Sequence, residues 1–181
     1  MSEKISVVFL SFILVLSFFS CSHKNTEVYS SVLERSFSCK VSVRRDDTEY
    51  VADVTLYGRG ETVSTETGRD GSIVYLSPDS LSDISASRTG GCVSVNVSGI
   101  IVTPSEKVGA RYAALLDVLD MRACEMLECK PDKTGERAVM CVSFYHSDKN
   151  YTLLVDESTA VPISLEGDGI SVRFSDFIYI A

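Results

Sequence analysis

From residue 37 onward, apolar and polar residues alternate with a period of two over several short stretches. Runs of this kind cover residues 37–43, 50–56, 93–97, 163–165 and 170–174. Because successive side chains of a strand point to opposite faces, each run predicts a strand with one dry and one wet face. The apolar positions are Phe37, Cys39, Val41, Val43, Tyr50, Ala52, Val54, Leu56, Val93, Val95, Val97, Ile163, Leu165, Ile170, Val172 and Phe174.

Glycine-containing turns separate some of these runs. The sequences TGG at residues 89–91 and GDG at residues 167–169 each precede an apolar run. Glycine accepts the positive φ angles that tight hairpin turns require. Strands with one dry face joined by such turns form an antiparallel sheet, and the dry face must be covered.

A helix after residue 103 is the best candidate for that cover. Thr103 is predicted as its N-cap, Pro104 as its first residue, and Glu106 as the partner in a capping box. We expect it to end at residues 120–122. Its apolar face is formed by Val108, Tyr112, Leu115 and Leu119.

Two further segments are less well defined by their pattern. A weaker helix is predicted over residues 26–35. Residues 123–132 fit either a continuation of the main helix or a short strand, and Pro131 is expected to end either one. The sequence therefore predicts a β-rich α+β protein, with a long, curled antiparallel sheet covered by one or two helices.

The N-terminal segment has an apolar run over residues 5–19, followed by FFSC, which ends at Cys21, and then by a polar stretch. The run is shorter than the roughly 20 residues that a membrane-spanning helix needs. The FFSC ending resembles a bacterial lipobox. That resemblance implies lipid attachment to the Cys21 thiol, cleavage before it, and acylation of the new amine. An uncleaved signal anchor is the alternative.

This interpretation divides the chain into three parts. Residues 1–20 are the signal peptide, residues 21–31 a tether, and residues 32–181 the folded domain. The expected location is the outer face of the cell membrane, where the protein is held by its lipid. Two or three acyl chains anchor a protein stably, whereas a single chain does not.

The stretches VYLSPDSLSDISAS (residues 74–87) and YTLLVDESTAVPISLEGDGISVRFSDF (residues 151–177) resemble the lipoprotein-carrier superfamily of LolA/LolB-like half-barrels. The resemblance extends over residues 33–178 and includes, in particular, small lipoproteins of this type from anaerobic Gram-positive bacteria. It implies an unclosed barrel with a helical lid over an apolar, acyl-binding cavity. The expected cavity residues are Tyr50, Val54, Leu56, Val95, Val108, Tyr112, Leu115, Leu119 and Phe174.

The net negative charge of the chain argues against nucleic acid as a binding partner. With 181 residues and a formal charge of −8, it lacks the excess of Lys and Arg that nucleic-acid binding requires. Of six cysteines, lipidation of Cys21 leaves five, so at least one thiol stays unpaired. We expect Cys39 in the core and Cys92 as the most accessible thiol.

Residues that could support chemistry are few. Cys124, Cys129, Cys141 and His146 approach zinc-ligand spacing, but an odd separation places the last two on opposite faces of a strand. The acidic pairs 46/47 and 117/120 are expected on the solvated surface. We therefore expect no metal, no cofactor and no catalytic site.

The sequence thus predicts a non-catalytic, membrane-anchored module that binds a lipid or an acylated ligand in the cell envelope. The alternative is an envelope sensory or interaction lipoprotein, in which the half-barrel is filled and an outer surface docks a protein partner. In both cases the protein contacts the membrane through its N-terminal lipid.

Overall fold

The structure is a computed structural model that describes Val32 and residues 35–58, 68–120, 125–146 and 148–180. The predicted signal peptide and tether, with Cys21, lie outside the described residues, as does Cys124. Of the predicted helix over residues 26–35, Val32 is described; it is helical and buried.

Within these ranges the chain forms eleven strands and a helix, α1 (Glu106–Leu119). The strands are β1 (Ser36–Arg45), β2 (Thr48–Leu56), β3 (Gly71–Ser77), β4 (Ile84–Thr89), β5 (Cys92–Val97), β6 (Ile100–Val102), β7 (Glu125–Thr134), β8 (Arg137–His146), β9 (Lys149–Asp156), β10 (Pro162–Gly167) and β11 (Ile170–Ile180).

All eleven strands belong to one antiparallel sheet in the order β6-β5-β4-β3-β2-β1-β11-β10-β9-β8-β7. Each half of the sheet is a meander of sequential neighbours, and the two halves meet where β1 pairs with β11. The ends of the sheet, β6 and β7, are unjoined to each other, so the sheet is open. The predicted fold class, an open antiparallel sheet covered by a helix, is confirmed.

The alternation predicted for the first two runs is confirmed. In β1 the four apolar positions are buried, and in β2 Ala52, Val54 and Leu56 are buried while Asp53 is exposed. Both predicted turns form as well: residues 90 and 91, and residues 168 and 169, have positive φ. In β5, Val95 is buried but Val97 is 41% exposed.

Helix α1 begins two residues later than predicted. Ser105 occupies the N-cap position without a side-chain capping bond, so the capping box expected from Thr103 and Glu106 is absent. The carbonyl of Ser105 accepts the N–H groups of Val108 and Gly109 at 2.9 and 2.8 Å. The helix ends at Leu119, close to the predicted end.

The buried face of α1 also differs from the prediction. It consists of Gly109, Ala113, Leu115, Leu116 and Leu119, whereas Val108 is 43% exposed. A Cβ atom at Gly109 would lie 3.3 Å from the Cβ of Val93, so the glycine lets the helix pack closely on β5. This close approach turns the small residues inward and Val108 outward.

The segment that was ambiguous in sequence forms β7, and Pro131 lies inside this strand and does not end it. Strand β7 is the last strand of the sheet and pairs with β8 alone. Because an edge strand needs ladder hydrogen bonds on one side only, it tolerates a proline that a central strand would exclude.

The core is one continuous cluster between the concave face of the sheet and the helical residues. It includes Leu115, Leu116 and Leu119 of α1, and Val32 from the N-terminal segment. On the sheet side, its members are Phe37, Cys39, Val41, Val43, Ala52, Val54, Leu56, Ile73, Met140, Val142, Phe144, Tyr151, Leu153, Val155, Leu165, Ile170 and Val172.

Candidate ligand-binding groove

A groove runs along α1, between the helix and the hairpin ends of the sheet. It has two parts that share four lining residues: Ala114 and Val118 from the helix, Arg45 from the end of β1, and Ile170 from the start of β11. Since these four residues line both parts, the two volumes are adjacent along the same side of the helix.

The first part is apolar and encloses about 300 Å³. This volume is at the lower end of the roughly 300–1,000 Å³ typical of small-molecule sites. Besides the shared residues, it is lined by Thr48, Tyr50, Tyr75, Leu81, Arg111, Tyr112 and Leu115.

Three tyrosines give the apolar part its character. The rings of Tyr50 and Tyr75 are 5.5 Å apart and tilted by 55°. Burial raises the pKa of Tyr50 to about 12, with Tyr75 adding to the rise and Arg45 opposing it. Burial, and then the proximity of Tyr112, raise the pKa of Tyr75 as well. The phenols of Tyr50 and Tyr75 therefore stay neutral at physiological pH and present ring carbon with few polar atoms.

The second part, called the polar part below, has a larger polar share in its lining than the first and encloses about 190 Å³. Lys149 at the start of β9 forms an ion pair with Asp168 in the β10–β11 turn. Tyr151 stacks on Phe144 with ring centroids 5.5 Å apart. His146, the last residue of β8, also lines this part, and its buried Nδ1 has no hydrogen-bond partner among the described residues.

The residues predicted to line the cavity lie in three different kinds of position in the structure. Tyr50, Tyr112 and Leu115 line the groove. Val108 lies outside it on the exposed side of α1, and Phe174 is half-buried against the core. The others lie in the buried interior and do not line the groove: Val54, Leu56, Val95 and Leu119.

Buried charges near the C-terminal end of α1 were missed by sequence reasoning. The expectation of a solvated surface pair at Asp117 and Asp120 is wrong for Asp120, which is 5% exposed. The side chain of Asp117 is 47% exposed, and both carboxylates contact Arg88. Arg88 Nη1 bonds to Asp117, and Arg88 Nη2 lies 3.8 Å from Asp120 Oδ2.

Arg69, which is 1% exposed, completes this cluster. Its backbone N–H donates to Asp120 Oδ2 at 2.6 Å, and its carbonyl accepts from Arg88 Nε at 2.7 Å. Its guanidinium donates to the carbonyls of Tyr57 at 2.8 Å and Arg35 at 2.6 Å. The cluster therefore joins the end of α1 to β4, to the end of β2 and to the segment before β1.

The thiols agree with their predicted environments. Cys39 is buried in the core, and desolvation raises its pKa to about 12, whereas Cys92 is exposed. Cys129 and Cys141 are half-buried on β7 and β8. Within the described residues, no group of three or more His, Cys, Asp or Glu side chains is arranged to hold a metal ion.

No helix among the described residues combines the length and apolar character needed to cross a membrane. No protein-family model matches the chain, and no curated protein matches its sequence.

Solved structures do resemble it. An uncharacterized conserved protein from Thermus thermophilus has a TM-score of 0.53 at 11% identity, over 88% of each chain. A chain of the Pseudomonas aeruginosa MucA/MucB complex has a TM-score of 0.49 at 11% identity, over 90% of this chain and 58% of that one. A domain from Vibrio parahaemolyticus, described as outer membrane lipoprotein-sorting, has a TM-score of 0.46 at 9% identity, over 84% of this chain and 91% of that one. The similarity is distant and concerns the fold.

Proposed function

We propose that this chain is a membrane-anchored lipoprotein of the cell envelope whose domain binds a lipid or an acylated ligand without catalysing a reaction. The observation that carries the proposal is the groove along α1, which has an apolar part of about 300 Å³ next to a more polar part. An acyl ligand requires this combination, with one region that excludes water and another that remains solvated.

The apolar part supplies the binding energy. Each methylene removed from water contributes about 0.8 kcal/mol, so a segment of six methylenes contributes about 5 kcal/mol. The walls that would contact the chain are Leu81 and Leu115 and the ring faces of the three tyrosines. The neutral phenols of Tyr50 and Tyr75 fit this role, because an ionised phenolate would hold water in the groove.

Blocking the groove from the helix side tests the proposal. Ala114 is half-buried and lines both parts, so Ala114→Trp places an indole in the path of an acyl chain. Val108→Trp is the control, since Val108 is exposed and lies roughly 120° around the helix from position 114 at 100° per residue.

The measurement is binding of a fluorescent fatty acid, and its displacement by palmitate, with the purified soluble domain. We expect Ala114→Trp to weaken binding at least tenfold and Val108→Trp to leave it unchanged, with both variants showing wild-type circular dichroism. Absence of binding to the wild type, or equal binding by both variants, would contradict a lipid-binding role for the groove.

Anchoring through Cys21 is a separate part of the proposal. It is supported by the short apolar run over residues 5–19 and the polar residues after the cysteine. Cys21→Ser is expected to abolish labelling by radioactive palmitate and to release or misprocess the protein. Cys92→Ser, which removes an exposed thiol of the domain, is the control that should retain the label. Labelling that persists in Cys21→Ser would exclude this anchor.

A second function, docking of a protein partner, is favoured by the exposed edge of the sheet. In β6, Ile100 is 69% and Ile101 73% exposed. The opposite edge, β7, is protected by Pro131 and by charged residues such as Lys130 and Asp132. The unprotected edge at β6 would accept an extended segment of an envelope protein with alternating apolar side chains, added as a twelfth strand to the eleven described.

A photocrosslinking residue at position 101, compared with one at position 127 near the β7 edge, tests this docking in cells. Leu127 is the matched control because it is also an exposed apolar residue of an edge strand. Docking is supported if a single protein crosslinks at position 101 and not at 127, and if that protein, once purified, binds the wild type but not Ile101→Pro. The same crosslinks at both positions, or unchanged binding to Ile101→Pro, would exclude it.

A further inference from the structure

The groove carries charged side chains of both signs, but they are not equally compensated. Lys149 is paired with Asp168, and Asp117 is paired with Arg88. Arg45 and Arg111 line the groove without an ion pair to any of the described residues. The groove therefore has an uncompensated positive charge, although the whole chain carries a formal charge of −8.

Arg45 occupies the junction between the two parts of the groove. It is the last residue of β1, opposite Thr48 of β2 and Ile170 of β11 in the ladder. Its charge acts in both directions, because it lowers the pKa of Tyr50 on the apolar side and opposes the rise in the pKa of Lys149 on the polar side. Arg45 is an exposed residue. Because it forms no ion pair with the described residues, binding an anion there requires no rearrangement of an existing pair.

His146 provides a second polar atom on the same side. It lines the polar part, and no group in the part of the chain that the structure describes forms a hydrogen bond with its buried Nδ1. Buried polar atoms of proteins are nearly always hydrogen-bonded, so an unpartnered one at a cavity wall points to a bound group. Arg45 and His146 both line the polar part, which at about 190 Å³ is smaller than the apolar part.

We propose, on the basis of the lipid-binding function proposed above, that the ligand is an amphiphile with an anionic head group, and that Arg45 binds this head group. The acyl chain lies in the apolar part beside the tyrosines. The head group, a carboxylate or a phosphate, lies at the junction, where the guanidinium fork of Arg45 donates two parallel hydrogen bonds to its oxygens. The buried Nδ1 of His146 supplies a further hydrogen bond to the head group within the polar part.

The test compares ligands with the same acyl chain and different head groups. Palmitate carries a carboxylate, palmitoyl-lysophosphatidylglycerol carries a phosphate, and 1-monopalmitoylglycerol is neutral. The variant is Arg45→Gln. Arg44→Gln is the control, because Arg44 is the neighbouring exposed arginine on the same strand and does not line the groove.

We expect the wild type to bind one or both anionic ligands at least tenfold more tightly than the neutral one. Arg45→Gln should weaken binding of the anionic ligands at least tenfold more than binding of the neutral one and so remove that preference, while Arg44→Gln should alter neither the affinities nor the preference. The relative affinities for palmitate and the lysophospholipid then distinguish a carboxylate from a phosphate head group.

The outcomes separate this inference from the function on which it rests. If the neutral and anionic ligands bind the wild type equally, or if Arg45→Gln retains the preference, the anionic head group or the role of Arg45 is wrong and lipid binding stands. If none of the three ligands binds, the proposed function itself fails.

Discussion

Replacement of Arg88 by methionine tests whether the buried charge cluster holds α1 on the sheet. Arg88 is buried, and its guanidinium contacts Asp117, Asp120 and the carbonyl of Arg69. Methionine keeps much of the side-chain volume but leaves these acceptors without their cation. Removing one partner of a buried ion pair costs about 3–5 kcal/mol.

The structure favours the lower end of that range. Asp120 keeps the hydrogen bond from the backbone N–H of Arg69, and the side chain of Asp117 is 47% exposed and can be solvated. We therefore expect a loss of about 3 kcal/mol, a large part of the roughly 5–15 kcal/mol that stabilises a typical domain. With a urea m-value of about 2 kcal/mol/M, the unfolding midpoint falls by about 1.5 M.

Urea unfolding of the soluble domain, followed by far-ultraviolet circular dichroism, measures this shift. Arg173→Met is the matched control, because Arg173 is an exposed arginine of β11 with serines opposite it on both neighbouring strands. Its stability should change by less than about 0.5 kcal/mol, as for most surface substitutions. A midpoint shift below about 0.5 M for Arg88→Met would refute the view that the cluster holds the helix in place.

Three further predictions concern other parts of the domain. Hydrogen bonds from Ser158 and then Thr159 lower the pKa of Asp156 from 3.8 to about 2, so the charged carboxylate stabilises the fold above about pH 4 and this contribution is lost as the pH falls towards 2. Acid titration of stability should show that loss in the wild type and not in Asp156→Asn. Two variants that each retain a single cysteine should differ in their reaction with a thiol reagent at pH 8: the variant with exposed Cys92 should react within minutes, whereas the variant with Cys39, whose pKa is about 12, should react only on unfolding. Equal rates would contradict the burial of Cys39. Gly71→Ala should lower the unfolding free energy by about 1–3 kcal/mol, because its Cβ would lie 2.6 Å from the Thr55 carbonyl oxygen, and an unchanged urea midpoint would show that the strands yield at this contact.

The sheet was predictable because burial on one face leaves a period of two in the sequence. Strands β1 and β2 show this clearly: their dry positions are apolar and their wet positions are mostly polar. The start of α1 was not predictable from capping chemistry, since Thr103 and Ser105 are both acceptable caps and packing against β5 selected the second. Pro131 was misread because the position of β7 at the sheet edge is a property of the whole topology.

The groove was predictable only on its apolar side. Tyr50, Tyr112 and Leu115 belong to an alternating strand or an apolar helix face, so local periodicity identifies them. Arg45 and His146 come together from strands about 100 residues apart in sequence, because β1 and β8 both end at the same rim. Their types and local spacing resemble those of ordinary surface residues.

The pairing of β1 with β11 has a consequence for how the chain folds. The nine paired positions run from Arg45–Ile170 to Ser36–Ile180, so the partners are 125 to 144 residues apart in sequence. Every other strand pair joins sequential neighbours, and such local pairs close short loops at small entropic cost. The two meanders can therefore form independently, and their union at β1–β11 is the slow, high-contact-order step. Strand β11 is synthesised after the ten other described strands and completes the middle of the sheet, and until it docks, β1 remains an open edge.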